Sequence, residues 1–515
     1  MGCEHKSWFC EVRYTPDTRH YFEKGYKSPR MKPASPSSWT DSLWSWCKSH
    51  RDFRLIPRIE TYPGVVAFAQ TALGKLVLLG TFGSGLWFLI SHDLLRWSVM
   101  MGTFTLTTFL PRHRRLILSL GVCLLLFKQN LRHSDSLRGG IVLTTLALNL
   151  SVIAVGMMLF WCARRWPRSI FGRRPIIFWL SGVTMFIVCI ALIKPTGRAG
   201  FFRWSEVGIL VSYMWFIAYA LADRNAKPVA DFTLEFAALD PIWGSTGTPF
   251  PKGASYLRRI EAKDSVQLAI TQLKGLKLLV WAILLWLVQT EWNRFFHGYL
   301  GIPGSGEAMA MWVRGTPPAL HLRWASQVLF FYEIILDLSV SGHGIIACCR
   351  LAGFNALRNT YRPLSSVTLI EFFNRLYYYF KELLADFFYY PAFFRYWKNH
   401  PRLRIVFATF AAVLFGKSLY HLIRDWSIFR DMGLVKGLLS YQVLFFYSAI
   451  LAAALSVSQL RRRRIKPSGF LRGQLVPSCG VALFYILSGV FLHEDRTYSL
   501  AQTFKYFLSL FYIHW

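Results

Sequence analysis

The stretch "RIVFATFAAVLFGKSLYHLIRD", residues 404–425, sets the character of the chain. After Arg404 it runs without a charge to Gly416 and reads as a membrane-buried helix. Lys417, His421 and Asp425 then follow at intervals of four, about one helical turn, so the three share one stripe. Ionisable groups at membrane depth are costly and mark a pathway or an active site. The plainer alternative is that Lys417 and Asp425 mark where the helix leaves the bilayer, with His421 packed against a neighbour.

The rest of the chain agrees with a membrane setting. Of 515 residues, 54% are hydrophobic and only 17% charged. Mean hydropathy is +0.33, whereas a soluble chain carries about 25% charged residues. Apolar segments lie near 65–91, 96–111, 115–130, 140–163, 175–194, 204–222, 276–292, 322–347, 404–424, 436–458, 475–493 and 501–515. A span takes roughly 17–25 apolar residues, and some segments are short, so the pattern predicts an all-α, polytopic transmembrane helical bundle of about ten to twelve spans.

The formal net charge is +32, from 59 Lys and Arg against 27 Asp and Glu. Such a balance would suit nucleic acid if it formed one patch. Here the basic residues cluster in short loops instead: "RHRR" at 112–115, "RRWPRSIFGRR" at 164–174 and "RRRR" at 461–464. This is the positive-inside pattern of a membrane protein, and no nucleic-acid partner is expected. Alternating the segments puts these clusters, 223–275 and 348–403 on one side, with the N-terminus cytoplasmic. Residues 1–60, polar and basic, read as a cytoplasmic extension ahead of a membrane domain at 61–515. "RRRR" also suits anionic membrane lipid. The nine cysteines show no CxxC pair and no metal-ligand spacing, so neither a disulfide framework nor a metal is expected.

Two long stretches do not span. In 223–275, "LDPIWGSTGTPFPKG" carries too much Gly and Pro for a regular helix. In 348–403, "FFNRLYYYFKELLADFFYYPAFFRYWKNHPR" is rich in aromatics but broken by basic residues, which suits re-entrant or interfacial helices. An amphipathic anchor is the simpler account of that segment.

The run from Phe331 to Phe380 resembles the membrane-bound O-acyltransferase family, in its bacterial branch of alginate O-acetylases and the teichoic-acid D-alanyltransferase. The likeness lies in an ordered set: Tyr332, Asp337, Ser339, Ser341 and Gly342; then Gly353-Phe354; then Asn359, Tyr361 and Pro363; then Ser365 and Glu371 to Asn374. His421 follows Asn374 by 47 residues, a separation similar to that of the family's membrane-buried histidine. The signature region is thus 331–425. "PIWGSTGTPFPKG" is weakly similar to an upstream loop of the family. Phe373 stands where the family has Trp, Tyr420-His421-Leu422 where it has Trp-His-Gly, and Asp386 falls about a turn late for the family's Asp.

The resemblance implies acyl transfer from a cytoplasmic thioester, acyl-CoA or acyl carrier protein, to a hydroxyl, with no bound cofactor. It implies a bacterial cytoplasmic membrane, a surface-glycan, lipid-linked or small-molecule acceptor, O-acetylation of the cell envelope as one outcome, and an extracytoplasmic SGNH-type esterase as partner. The residues fit that chemistry, which needs a base for the hydroxyl proton and a donor for the oxyanion. A neutral imidazole in a low-dielectric site is a competent base near pH 7, so His421 is the expected general base. The amide of Asn374 can hydrogen-bond a carbonyl without adding charge. Asp425 would orient the imidazole or cap a solvated helix end. Lys417 would bind a phosphopantetheine phosphate or snorkel to the interface. Tyr420, Asp337 and His343 are supporting candidates. A proton-coupled transporter using Lys417, His421 and Asp425 as a relay is the competing class, although the paired broken helices and repeats of transporters are missing from the sequence.

Overall fold

Backbone polar groups in an apolar setting must find partners within their own segment, which favours helices. In the computed structural model the described residues are 55–90, 93–132, 140–224, 232–461, 469–492 and 497–513. They are mostly helical, with no β-strand beyond one isolated bridge between Glu261 and Phe354. Most of the expected N-terminal extension and most of "RRRR" lie outside the described residues.

Among the described residues nine helices are long and apolar enough to cross a membrane. They are α1 (Ala72–Leu89), α2 (Ala147–Arg165), α3 (Pro175–Ile193), α4 (Phe202–Asp223), α5 (Ser265–Tyr299), α6 (Leu320–Leu351), α7 (Pro401–Arg424), α8 (Gln442–Leu460) and α9 (Leu471–Gly489). The chain is a polytopic, all-α integral membrane protein. Three of the twelve expected spans form lesser helices. Leu94–Phe109 has 16 residues and Leu500–Ser509 has 10, about 24 Å and 15 Å at the α-helical rise. Both fall short of a hydrocarbon core of roughly 30 Å. Arg114–Arg132 has 19 residues but carries Arg114, Arg115, Lys128 and Arg132.

Two large buried clusters fill the bundle. One gathers α2, α3, α4, α7 and α8 with residues 380–393; the other gathers α1, the 234–257 region, α5 and the C-terminal end of α6 with Tyr379. Tyr377 packs against both, so the aromatic segment forms the seam between them.

That segment is a chain of short helices, Leu369–Leu376, Tyr378–Leu384 and Tyr390–Arg395, with a π-helical turn at Ala385–Tyr389. Its start is fixed by a reciprocal cap. Thr368 Oγ1 accepts from Glu371 N at 3.2 Å, and Glu371 Oε2 accepts from Val367 N at 2.9 Å. This arrangement satisfies backbone donors that a helix terminus leaves open. The segment packs into the bundle, with Tyr379, Leu383 and Tyr389 fully or almost fully buried.

Candidate functional site

α7 is not a uniform helix. A π-helical stretch at Ala411–Gly416 interrupts it immediately before Lys417. Such insertions recur at functional sites because the extra residue re-aims the side chains that follow. Regular α-helix resumes over Lys417–Arg424, so Lys417 and His421 keep one face, while Asp425 lies just past the helical end with φ −94° and ψ 34°.

The two ends of that stripe have separate surroundings. Lys417 is 5% exposed; its Nζ donates to Ser448 Oγ at 3.2 Å and sits 4.4 Å from the centre of the Tyr447 ring. It therefore points at α8 within the bundle, and the snorkelling alternative does not hold. Asp425 accepts from Arg424 Nε at 2.6 Å at the end of α7.

Between them, Tyr420 and His421 meet the aromatic segment. The ring of Phe380 lies 4.8 Å from Tyr420 and 6.5 Å from His421, each edge-on. Tyr377 joins Phe380 at 5.3 Å. Trp215 of α4 stacks on Tyr420 at 5.9 Å. The Gly- and Pro-rich loop supplies hydroxyls: Thr248 Oγ1 lies 3.1 Å from the Tyr420 hydroxyl, and Thr246 Oγ1 hydrogen-bonds the Tyr377 hydroxyl. The loop turns tightly at Gly247, where φ is +78° and an added Cβ would lie 3.2 Å from the Tyr420 hydroxyl. Burial pushes the Tyr377 phenol above its ordinary pKa, and its bonds to Thr246 and Thr248 act in the opposite direction. Arg424 and Asp337 lie close enough to act on Tyr377 electrostatically, so Asp337, although exposed from α6, belongs to this neighbourhood.

Asn374 lies one short helix earlier, 7% exposed, and its Oδ1 is buried with no hydrogen-bond partner among the described residues. His343 is buried in α6 with Nδ1 2.5 Å from the Ser339 carbonyl oxygen. That contact within one helix fixes its ring, and it is a structural contact. Other members of the sequence pattern pack on one another. A Cβ at Gly342 would lie 2.7 Å from Asn359 Nδ2, and Asn359 accepts from Tyr378 N at 2.9 Å and from Tyr379 N at 3.2 Å. At Gly353, φ is +94° and an added Cβ would meet the Arg114 guanidinium at 2.7 Å.

A second polar group, missed in the sequence apart from Asp386, lies beside the seam. Lys252 Nζ contacts Glu382 Oε2 at 2.5 Å and Asp386 Oδ2 at 2.8 Å, and the Tyr219 hydroxyl donates to the same Asp386 oxygen at 3.3 Å. Burial opposes the charge on all three ionisable groups. The two carboxylates nevertheless outweigh it at Lys252, whose pKa is raised, and Lys381 and Lys252 outweigh it at Glu382, whose pKa is lowered; at Asp386 burial prevails and the pKa is raised. The signal available in the sequence was the Lys252 that ends the loop and the i, i+4 pair of Glu382 and Asp386.

Fold and site together define a helical membrane protein with an aromatic-lined histidine at the seam of its core. The sequence matches no known protein-family model and no curated protein.

Proposed function

We propose that the chain is a membrane-embedded O-acyltransferase of the membrane-bound O-acyltransferase type. It would take an acyl group from a cytoplasmic acyl-CoA or acyl carrier protein to a hydroxyl on a glycan, a lipid-linked precursor, a small molecule or an SGNH-type partner. The observation that carries the reading is the meeting of Tyr420 and His421 with Tyr377, Phe380 and the hydroxyls of Thr246 and Thr248. His421 and the run that ends at Phe380 carry the family resemblance, and the loop of Thr246 and Thr248 is weakly similar to one of the family's. In this reading His421 takes the acceptor's hydroxyl proton as the oxygen attacks the thioester carbonyl. The C–S bond breaks, and the proton passes to the leaving thiolate, giving a free thiol and an ester. The Asn374 amide donates to the oxyanion. The reading puts the protein in a bacterial cytoplasmic membrane with its N-terminus in the cytoplasm.

The test uses the purified full chain in detergent with a labelled acyl thioester, following thioester loss and ester formation. His421→Ala should stay folded and lose about 10²–10⁴-fold in rate, the usual worth of positioned acid–base catalysis. Full activity in that variant would remove His421 from the chemistry. Substrate movement across vesicles without thioester consumption would favour the transporter.

A further inference from the structure

A second charged group lies away from the seam, where α5 meets α6. The two helices touch closely at Gly275: a Cβ there would lie 3.0 Å from the Ala347 carbonyl oxygen and 3.1 Å from Arg350 Cβ. The contact brings Arg350, near the C-terminal end of α6, against α5 between Lys274 and Lys277. Arg350 Nη1 donates to the Lys274 carbonyl at 3.4 Å, and its Nε and Nη2 donate to the Ala356 carbonyl at 2.9 and 2.7 Å. Those oxygens are neutral, so they satisfy the hydrogen bonds of the guanidinium and leave its charge in place.

Lys277 pairs with Glu60 from the turn that precedes the helix Pro63–Gln70. Lys274 has no side-chain hydrogen bond or ion pair among the described residues. Arg58 and Arg358 lie within electrostatic reach of the lysines. Among the described residues, three cations from α5 and α6 are thus gathered around one carboxylate. Lys277 and Arg350 are each 7% exposed, so this is no solvated basic loop that merely sets topology. Holding like charges together at low exposure is unfavourable unless an anion joins them.

Depth suggests which anion. Leu278–Thr290, immediately after Lys277, is uncharged for 13 residues, about 20 Å of helix. The cluster therefore sits at the edge of the apolar run, where a helix that crosses a bilayer would meet lipid headgroups.

We propose that Lys274, Lys277 and Arg350 form a binding site for a phosphate group. Two helices supply the cations, and Arg and Lys complement phosphate oxygens by fork and by point charge. The phosphate belongs to an anionic lipid headgroup or to a soluble phosphate; the site recognises the chemistry they share.

The test is lipid retention by native mass spectrometry and thermal stability of the full chain in nanodiscs. Wild type should retain phosphatidylglycerol over phosphatidylcholine, or be stabilised in phosphatidylcholine nanodiscs by inorganic pyrophosphate. The first result assigns the headgroup and the second a soluble source. Lys274→Glu supplies a carboxylate of its own. It should weaken the binding at least about tenfold, as loss of a charge-assisted contact does, yet raise stability where neither phosphatidylglycerol nor pyrophosphate is present. A residue that served packing or topology alone would not produce those opposite effects. Lys274→Gln, which removes charge without adding any, should show the weaker binding if the reversal fails to fold. Equal responses in wild type and variants, or no preference for either phosphate ligand in wild type, would overturn the site.

Discussion

Gly416 lies directly under the ring of Phe388: a Cβ at 416 would stand 2.6 Å from Phe388 Cδ2 and 2.7 Å from its Cγ. Both residues sit in π-helical turns, Ala385–Tyr389 and Ala411–Gly416, that pack on each other beside Tyr420 and His421. The missing side chain at 416 lets the aromatic segment approach α7. Helix propensity alone would favour Ala over Gly by about 0.8–1.0 kcal/mol. Overpacking of this kind costs typically about 1–3 kcal/mol, because the Cγ of a ring cannot swing aside as a flexible chain end can. Gly416→Ala should therefore lower thermal stability in detergent, and Phe388→Leu in the same chain should restore part of it. Additive losses in the double-mutant cycle would show that the two turns do not depend on this contact.

The ion group at Lys252 makes a sharper demand. Its two carboxylate partners are partly buried, at 19% and 30% side-chain exposure. Removing one partner from a buried pair leaves uncompensated charge, at a cost of about 3–5 kcal/mol. Lys252→Met should approach that loss. Asp386→Asn in the Lys252→Met background should recover much of it, because Glu382 keeps Lys381 as its partner and Asp386 is the carboxylate left without a cation. The readout is the unfolding midpoint of each variant at neutral pH. No recovery in the Lys252→Met/Asp386→Asn double variant would mean that Lys252 acts by packing.

Much of the fold was legible from hydropathy, because nine of the twelve apolar segments contain enough uncharged residues to become spanning helices. The loop at 240–253 was legible from its Gly and Pro, and the aromatic run at 361–400 from its interrupted pattern. What hydropathy did not carry is where a helix changes its winding. Nothing in "AAVLFG" separates a π turn from an α turn, and the contact of Gly416 with Phe388 is one that only the tertiary structure brings about. The companions of the site were hidden for a related reason. Tyr377 and Phe380 look like any residues of "LYYYF" until tertiary contacts select which rings face Tyr420. Lys417 shows the same limit, since sequence spacing put it on the His421 face but could not say that α8 would bury it.

A pH response should come from Asp240, at the start of the loop. Burial pushes its carboxyl up to about 6, against the opposing effects of the Tyr213 hydroxyl, which donates to Asp240 Oδ2 at 3.2 Å, and of Arg96. A carboxyl whose pKa is raised in the folded state binds its proton more tightly there than in the unfolded chain. Its contribution to stability is thus greatest at low pH and is lost as pH rises from about 4 toward 6. Each tenfold difference in proton affinity is worth about 1.4 kcal/mol, so the loss is at most about 3 kcal/mol. Asp240→Asn should be more stable than wild type at pH 7.5, and the gap should close by pH 4. A constant difference across that window would exclude the titration of Asp240 as its cause.

Asn374 offers the most direct separation of stability from function. Its Oδ1 is buried without a hydrogen-bond partner among the described residues. An unsatisfied buried polar atom costs about 1–3 kcal/mol, and folded chains retain few of them. Asn374→Leu removes that atom and fills a similar volume, so it should raise the unfolding midpoint by the equivalent of about 1–2 kcal/mol. If the amide serves the acyl group, the same substitution should lower the rate of thioester consumption by about 10²-fold or more, the usual loss of one oxyanion donor. Asn374→Gln separates the alternatives further. It keeps the amide but displaces it by one methylene, so activity should fall while the stability gain of the leucine variant is absent. Asn374→Leu with full activity and higher stability would make Asn374 a packing residue with an unmet hydrogen bond. Lower stability in that variant would mean that Oδ1 is satisfied in the folded chain, and the thioester assay alone would then decide the role of the amide N–H.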